Sequence, residues 1–189
     1  MLDELIKAQA KPSDSIYKRE RWITRKELYI LYTLIQEYKI ERWIECGTAN
    51  GFSSLVATES MLSGYSVDPI VHTFDIIDRP KLWNEEPFIA RRERINFHHE
   101  SYDVGLQNIA TKIEKPTAFF IDGAHEGPQV LKDWEVTEPF YHKNDIVIFH
   151  DTNAYFEIRA IVKKIRRNNS YYDVSFINSE RGVVTIKWK

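Results

Sequence analysis

Apolar residues recur along the chain in two rhythms. In the run TRKELYILYTLIQEYK (24–39), Leu28, Leu31, Tyr32 and Ile35 share one face at helical spacing, and Thr24 with Glu27 has the spacing of a capping box. Beyond it, short apolar runs alternate with helical patterns. ERWIECG, VHTFDIID, INFHHES, TAFFIDG and DIVIFHD read as strands. SSLVATESMLS, VGLQNIATKI, PQVLKDWEVTEPF and FEIRAIVKKIRR read as helices. Pro128 falls in a first helical turn, where proline is tolerated, and Ile158, Ile161, Val162 and Ile165 share a face of the last helix. YDVSFIN and GVVTIKW, joined by a short loop with Gly182, read as a hairpin. Between the second and third strands, RPKLWNEEPFIARRER carries Pro80 and Pro87 and predicts a looser segment, with Trp83, Phe88 and Phe97 expected to be exposed. Residues 1–22 read as a short helix or an arm packed on the body, and 23–189 as a single domain.

Alternation of strand and helix implies an α/β fold, a parallel sheet covered by helices on both faces. Ligands of such sheets bind outside the carboxyl ends of the strands. There the chain keeps its polar residues: Glu45, Asp75, Ser101, Asp122, His150 and Asp151 each follow an apolar run.

Composition narrows the function classes. The 189 residues carry a net charge of −2, which argues against a protein built to hold long nucleic acid. KKIRR (163–167) and RRER (91–94) read as solvated faces. The single cysteine, Cys46, reads as a packed thiol and excludes an internal disulfide, which fits a cytoplasmic protein. MLDELIKAQAKPS has charges within its apolar stretch and does not read as a signal peptide, and no apolar run is long enough to span a membrane. His98 and His99 are adjacent on a strand and point to opposite faces, so they are not expected to form a metal pair.

The first strand runs into IECGTANGFSS. Glycines there let a backbone pass close to a ligand, and a helix N-terminus presents free N–H groups. The spacing E-x-G-x-x-x-G is not the dinucleotide fingerprint, and an acid at the lip of the loop would repel a diphosphate while suiting a cationic ligand. Asp75, at the end of the second strand, stands where a carboxylate accepts hydrogen bonds from ribose hydroxyls. A ribose-bearing, cationic, phosphate-free ligand describes S-adenosylmethionine. The competing reading is a plain tight turn with solvent-facing acids.

On these residues the chain resembles the class I S-adenosylmethionine-dependent methyltransferases from about residue 40 onward. IECGTANGFSS is similar to the first motif of the catechol O-methyltransferase-like enzymes. FFIDGAHEGPQVLKDWE with DIVIFHDT is similar to family-24 and cephalosporin-hydroxylase-like members. The resemblance implies a Rossmann-like doubly wound seven-stranded sheet closing on a C-terminal antiparallel hairpin. It implies cofactor contacts from Glu45, Gly47, Thr48, Gly51, Ser53, Asp75, Ile76, Ser101, Tyr102 and Asp122, with Glu100 standing near the adenine position. It also implies that Asp122 and Asp151 match metal positions, with His150 as a further candidate ligand. His125, three residues after Asp122, falls at the position of the base that takes the acceptor's proton. Magnesium prefers oxygen ligands, and a site containing His150 suits manganese, iron or zinc better. A plainer reading also stands: His125 holds the turn and Asp151 caps the last helix.

The expectation is therefore an enzyme that methylates a hydroxyl of a small molecule, with a divalent metal (magnesium or manganese) left open. No nucleic acid or membrane partner is expected. Trp83, Phe88 and Tyr155 are candidates for an apolar acceptor pocket or for contacts of a homodimer. Asp-Gly-Ala-His stands after the fourth strand, where an amino-methylating enzyme would carry Asn-Pro-Pro-aromatic. Two rivals remain: a dehydrogenase-type nucleotide enzyme on a similar sheet, and a non-catalytic protein that binds the cofactor or a partner.

Overall fold

The computed structural model describes residues 2–10, 23–64, 66, 68–78, 81–109 and 115–189. Most of the expected arm (11–22), Pro80 and the end of the predicted helix VGLQNIATKI (110–113) lie outside them. The elements run α1 (Leu2–Ala10), α2 (Arg25–Glu37), β1 (Arg42–Cys46), α3 (Phe52–Gly64), β2 (Ile70–Phe74), β3 (Ile95–His98), α4 (Tyr102–Ile109), β4 (Thr117–Ile121), α5 (Gly127–Thr137), β5 (Ile146–Phe149), α6 (Phe156–Asn168), β6 (Tyr172–Ile177) and β7 (Val183–Trp188). The strands form one sheet in the order β3-β2-β1-β4-β5-β7-β6. β1 to β5 are parallel, and β7 runs antiparallel to both β5 and β6. This is the doubly wound seven-stranded sheet with a terminal hairpin that the sequence predicts.

Period-two alternation divides the core into two layers. Trp43, Val71, Phe120, Ile146 and Ile148 face one side, with Leu28, Leu31, Leu55 and Met61 of α2 and α3. Ile44, Phe74, Phe119, Val147 and Phe149 face the other, with Leu106, Trp134 and Val162 of α4, α5 and α6. The switch point lies between β1 and β4, where successive connections leave on opposite faces. The predicted capping box at α2 is present in full: the Glu27 N–H donates to Thr24 Oγ1 and the Thr24 N–H donates to Glu27 Oε2.

The looser segment forms two 3₁₀ turns, Leu82–Asn84 and Ile89–Arg94. Its aromatics differ from the expectation of exposure. Trp83 and Phe88 are buried in the α2/α3 layer, and Phe97 is half-buried. A run dense in proline and charge hides its core contacts because they have no regular period. The charges of KKIRR are exposed while Ile165 faces inward. Among the described residues, no helix is long and apolar enough to cross a membrane.

Candidate active site

The strand register puts Cys46 beside Phe74 and Ile121, and Ile121 beside Phe149. The residues that follow, Gly47, Asp75, Asp122 and His150, therefore leave the sheet at one level. Gly47, Asp75 and Asp122 border a cleft of about 1010 Å³ at the carboxyl ends of the strands. That volume suits a nucleoside-sized ligand with room for a second molecule.

Gly47, Thr48, Gly51, Ser53, Asp75, Ile76, Ser101, Tyr102, Asp122 and His125 all line this cleft. At Gly47 the backbone has φ +92°, and a Cβ would stand 2.3 Å from the carbonyl oxygen of Asp122. Only glycine fits there, and it brings the first loop flush against the end of β4. Asp75 is held by two backbone donors, Ala49 N–H to Oδ2 and Ile77 N–H to Oδ1, both 2.9 Å. A carboxylate with two oxygens has capacity for further donors. Ile76 is exposed beside it. Tyr102 is buried, with its hydroxyl 2.9 Å from Thr137 Oγ1, so it offers the cleft a ring edge rather than a polar group.

Three expected residues sit behind the cleft wall: Glu45, His150 and Asp151. Glu45 is not at the lip of the loop. In a strand it shares the face of Trp43 and points at α3, where the hydroxyls of Ser53 and Ser54 donate to its carboxylate. It is fully buried, and burial pushes its carboxyl up to about 7 against the pull of Ser53, Ser54 and Thr73. Glu45 thus fastens the start of α3 to β1 and shapes the loop between them. Trp83 contributes from the other side: a Cβ on Gly51 would lie 2.1 Å from its ring, so it packs against the loop instead of offering an acceptor surface.

His125 stacks on Tyr155 with ring centroids 4.1 Å apart and planes at 11°. Its Nε2 lies 2.8 Å from Asp151 Oδ2, an ion-pair distance without hydrogen-bond alignment. Asp151 in turn receives the Arg181 guanidinium on both oxygens. Burial works against the charge of Asp151, but the contacts with His125 and Arg181 outweigh it and hold the carboxyl below its ordinary value.

His150 is buried among carboxylates. Its Nδ1 lies 2.9 Å from Asp122 Oδ1, and its Nε2 lies 3.2 Å from Glu27 Oε2. Burial disfavours its charge, yet Asp122 and Glu27 prevail and raise it to about 10, so it is an imidazolium at neutral pH. Burial likewise pushes the Asp122 carboxyl above its usual range, with Asp151 adding to the rise and His150 opposing it. Glu27 also accepts from the Arg181 N–H at 2.8 Å. Burial opposes its charge, but His150 and the backbone donors of Thr24 and Arg181 hold it well below the ordinary carboxylate range.

Sequence reasoning missed Glu27 and Arg181 as members of the site. Glu27 satisfies a local capping rule, which explains it without any distant partner, and Arg181 sits in a hairpin loop with no periodicity. Asp133 and Lys132 on the cleft wall were missed as well. Asp133 is buried, with Cys46 Sγ at 3.5 Å and Gln129 Nε2 at 2.9 Å. Lys132 pairs with Asp103 at 2.6 Å, linking α5 to α4 at the cleft. Asp133 lies on the inward face of an amphipathic α5, which helical spacing alone does not distinguish from the core, and Lys132 is exposed at the cleft, where it reads as one more solvated charge. Burial beside Asp133 pushes the Cys46 thiol well up, in keeping with a packed thiol.

Fold and site define a Rossmann-like α/β protein whose glycine loop, second-strand acid and fourth-strand Asp-Gly-x-His turn share one cleft. The family described as "Methyltransferase domain", family 24, matches residues 44–152, more than half of the chain, and the chain belongs to this family. No curated protein matches it. Among solved structures it is similar to the O-methyltransferase TomG from Streptomyces achromogenes, in complex with S-adenosylmethionine, at 12% identity over 99% of this chain and 90% of that one, TM-score 0.75. It is similar to the O-methyltransferase from Bacillus cereus, in complex with S-adenosylhomocysteine, at 16% identity over 100% and 90%, TM-score 0.68. The Podospora anserina methyltransferase PaMTH1 follows at 15% identity over 100% and 87%, TM-score 0.66. At these identities the likeness is one of fold.

Proposed function

We propose that the protein is an S-adenosylmethionine-dependent O-methyltransferase acting on a hydroxyl of a small molecule. The observation that carries this reading is that one cleft is lined both by Gly47 and Asp75 and by Asp122 and His125. The first pair suits a nucleoside ligand, and the second suits an acceptor proton. When bound, S-adenosylmethionine supplies a sulfonium-activated methyl group. Gly47 and the loop up to Gly51 would hold its methionine end, Asp75 its ribose, and Ile76 with Ser101 its adenine. His125 takes the acceptor's hydroxyl proton, as a positioned imidazole does in general base catalysis. Tyr155 fixes the plane of that ring by stacking, and Asp151 meets its Nε2, so the imidazolium formed has a carboxylate beside it. Tyr155, which is partly exposed, also offers an aromatic acceptor a surface.

A divalent ion is a separate question. Asp122, His125 and Asp151 offer ligand atoms within 4.8 Å of one another, and His125 Nε2 lacks an aligned hydrogen bond, both favourable to an ion. Against it, both oxygens of Asp151 are taken by a guanidinium, and Asp122 Oδ1 is paired with His150. Magnesium needs a near-octahedral oxygen shell. This donor set does not fit it. The single buried thiol fits a cytoplasmic setting, and exposed Phe156 beside the site fits a homodimer contact.

Calorimetric titration with S-adenosylhomocysteine tests the cofactor reading. Wild type should bind, and Asp75→Ala should weaken binding by roughly ten- to a hundredfold, the cost of a charge-assisted hydrogen bond. A panel of phenols and aliphatic alcohols then tests transfer. Absence of S-adenosylhomocysteine binding would defeat the proposal.

A further inference from the structure

We infer that Arg181 occupies the place a divalent cation would take at Asp151, so that the site works with a fixed cation carried by the β6–β7 hairpin and without a metal. The inference rests on the methyltransferase reading for its chemistry, while the manganese-binding arms of its test stand apart from that reading. The Arg181 Nε and Nη2 groups donate to Asp151 Oδ1 and Oδ2, the second at 2.7 Å. This is the planar two-point fork that guanidinium makes with carboxylate. Asp151 is nearly fully buried, so its carboxylate is shielded from water, while the Arg181 side chain stays partly exposed.

The guanidinium is held there by its own backbone. The Arg181 carbonyl accepts from the Asn153 N–H at 2.7 Å and the Ala154 N–H at 3.1 Å. The Arg181 N–H donates to Glu27 Oε1, and the Asn153 side-chain amide donates to the Ser179 carbonyl. Gly182 closes the contact: at φ +90° a Cβ there would lie 2.5 Å from the Asn153 N. Asp151 itself has φ +61°, a left-handed conformation that a non-glycine residue keeps only when its surroundings impose it. Hairpin and loop are thus built onto each other, and the Arg181 side chain enters as part of that construction rather than as a surface rotamer.

A divalent ion reaching Asp151 would have to displace this fork or sit beside it against like-charge repulsion. Arg181 is therefore a positioning residue. It fixes the carboxylate that faces His125 Nε2 and supplies the positive charge that the acidic cluster of Asp151, Asp122 and Glu27 needs besides His150.

The test is manganese binding, read by the paramagnetic resonance of free Mn²⁺ in titrations of wild type, Arg181→Met, Arg181→Lys and Asp151→Asn. S-adenosylhomocysteine calorimetry on each variant reports folding of the cleft. Wild type should leave Mn²⁺ free, and its methyl transfer should survive chelator. Arg181→Met should gain Mn²⁺ affinity by roughly tenfold or more, the size of effect that groups around metal ligands exert. Arg181→Lys, which keeps the charge without the fork, should stay free of Mn²⁺. Stoichiometric Mn²⁺ uptake by wild type that is lost in Asp151→Asn overturns the inference. So does chelator-sensitive transfer restored by Mn²⁺, and so does an Arg181→Met that binds S-adenosylhomocysteine normally and gains no Mn²⁺. If Arg181→Met does not fold, the wild-type and Asp151→Asn titrations still decide. If wild type binds no S-adenosylhomocysteine, the methyltransferase reading fails while the Mn²⁺ arms still report on Arg181.

Discussion

Replacing Glu45 with glutamine isolates the energetic weight of one buried carboxyl. Glu45 has no solvent exposure and accepts from Ser53 and Ser54 at the first turn of α3. Burial raises its carboxyl from the ordinary 4.5 to about 7. The folded protein therefore holds this proton more tightly than the unfolded chain does. The stability that results is fully present below about pH 4.5 and is lost as pH rises through about 7. A change of that size is worth about 3 kcal/mol. In Glu45→Gln the amide oxygen can still accept from one serine and the amide N–H can donate to the other, so the variant resembles the protonated acid at every pH. Urea unfolding of both proteins at intervals from about pH 5 to pH 8 is the assay, with an unchanged m-value as the check on the unfolded state. The stability of Glu45→Gln relative to wild type should increase by about 2–3 kcal/mol across that range, because the other titrating groups cancel in the difference. Parallel curves would refute the reasoning and mean that the three hydroxyls stabilise the carboxylate as well as water does.

Gly47→Ala puts a Cβ against the Asp122 backbone at a positive φ. It should cost about 2 kcal/mol or more in urea unfolding and abolish S-adenosylhomocysteine binding. Glu27→Ala leaves His150 with one carboxylate fewer and strips two backbone N–H groups of their acceptor. It should lose about 3 kcal/mol, a fall of roughly 6–12 °C in Tm by calorimetry. His125→Ala should lower kcat by roughly 10²–10⁴ while the calorimetric affinity for S-adenosylhomocysteine stays at the wild-type value.

The order of elements is legible along the chain, because periods of 2 and 3.6 are local properties that each run carries with it. The level of the site is legible as well, since Asp75, Asp122 and His150 each stand where an apolar strand ends. Tertiary structure decided what each polar group meets. Periodicity puts Glu45 on one face of β1 but does not say that Ser53 and Ser54 cover that face, so a carboxylate expected at the lip is an internal clamp. Glu27 is fully accounted for by Thr24 until the fold brings His150 and Arg181 to its other side. Trp83 and Phe88 have no regular period, and only packing shows them as core. Arg181, thirty positions beyond Asp151, has nothing local to mark it. Its contact exists because β7 returns antiparallel beside β5 and lays the hairpin against the loop that β5 opens.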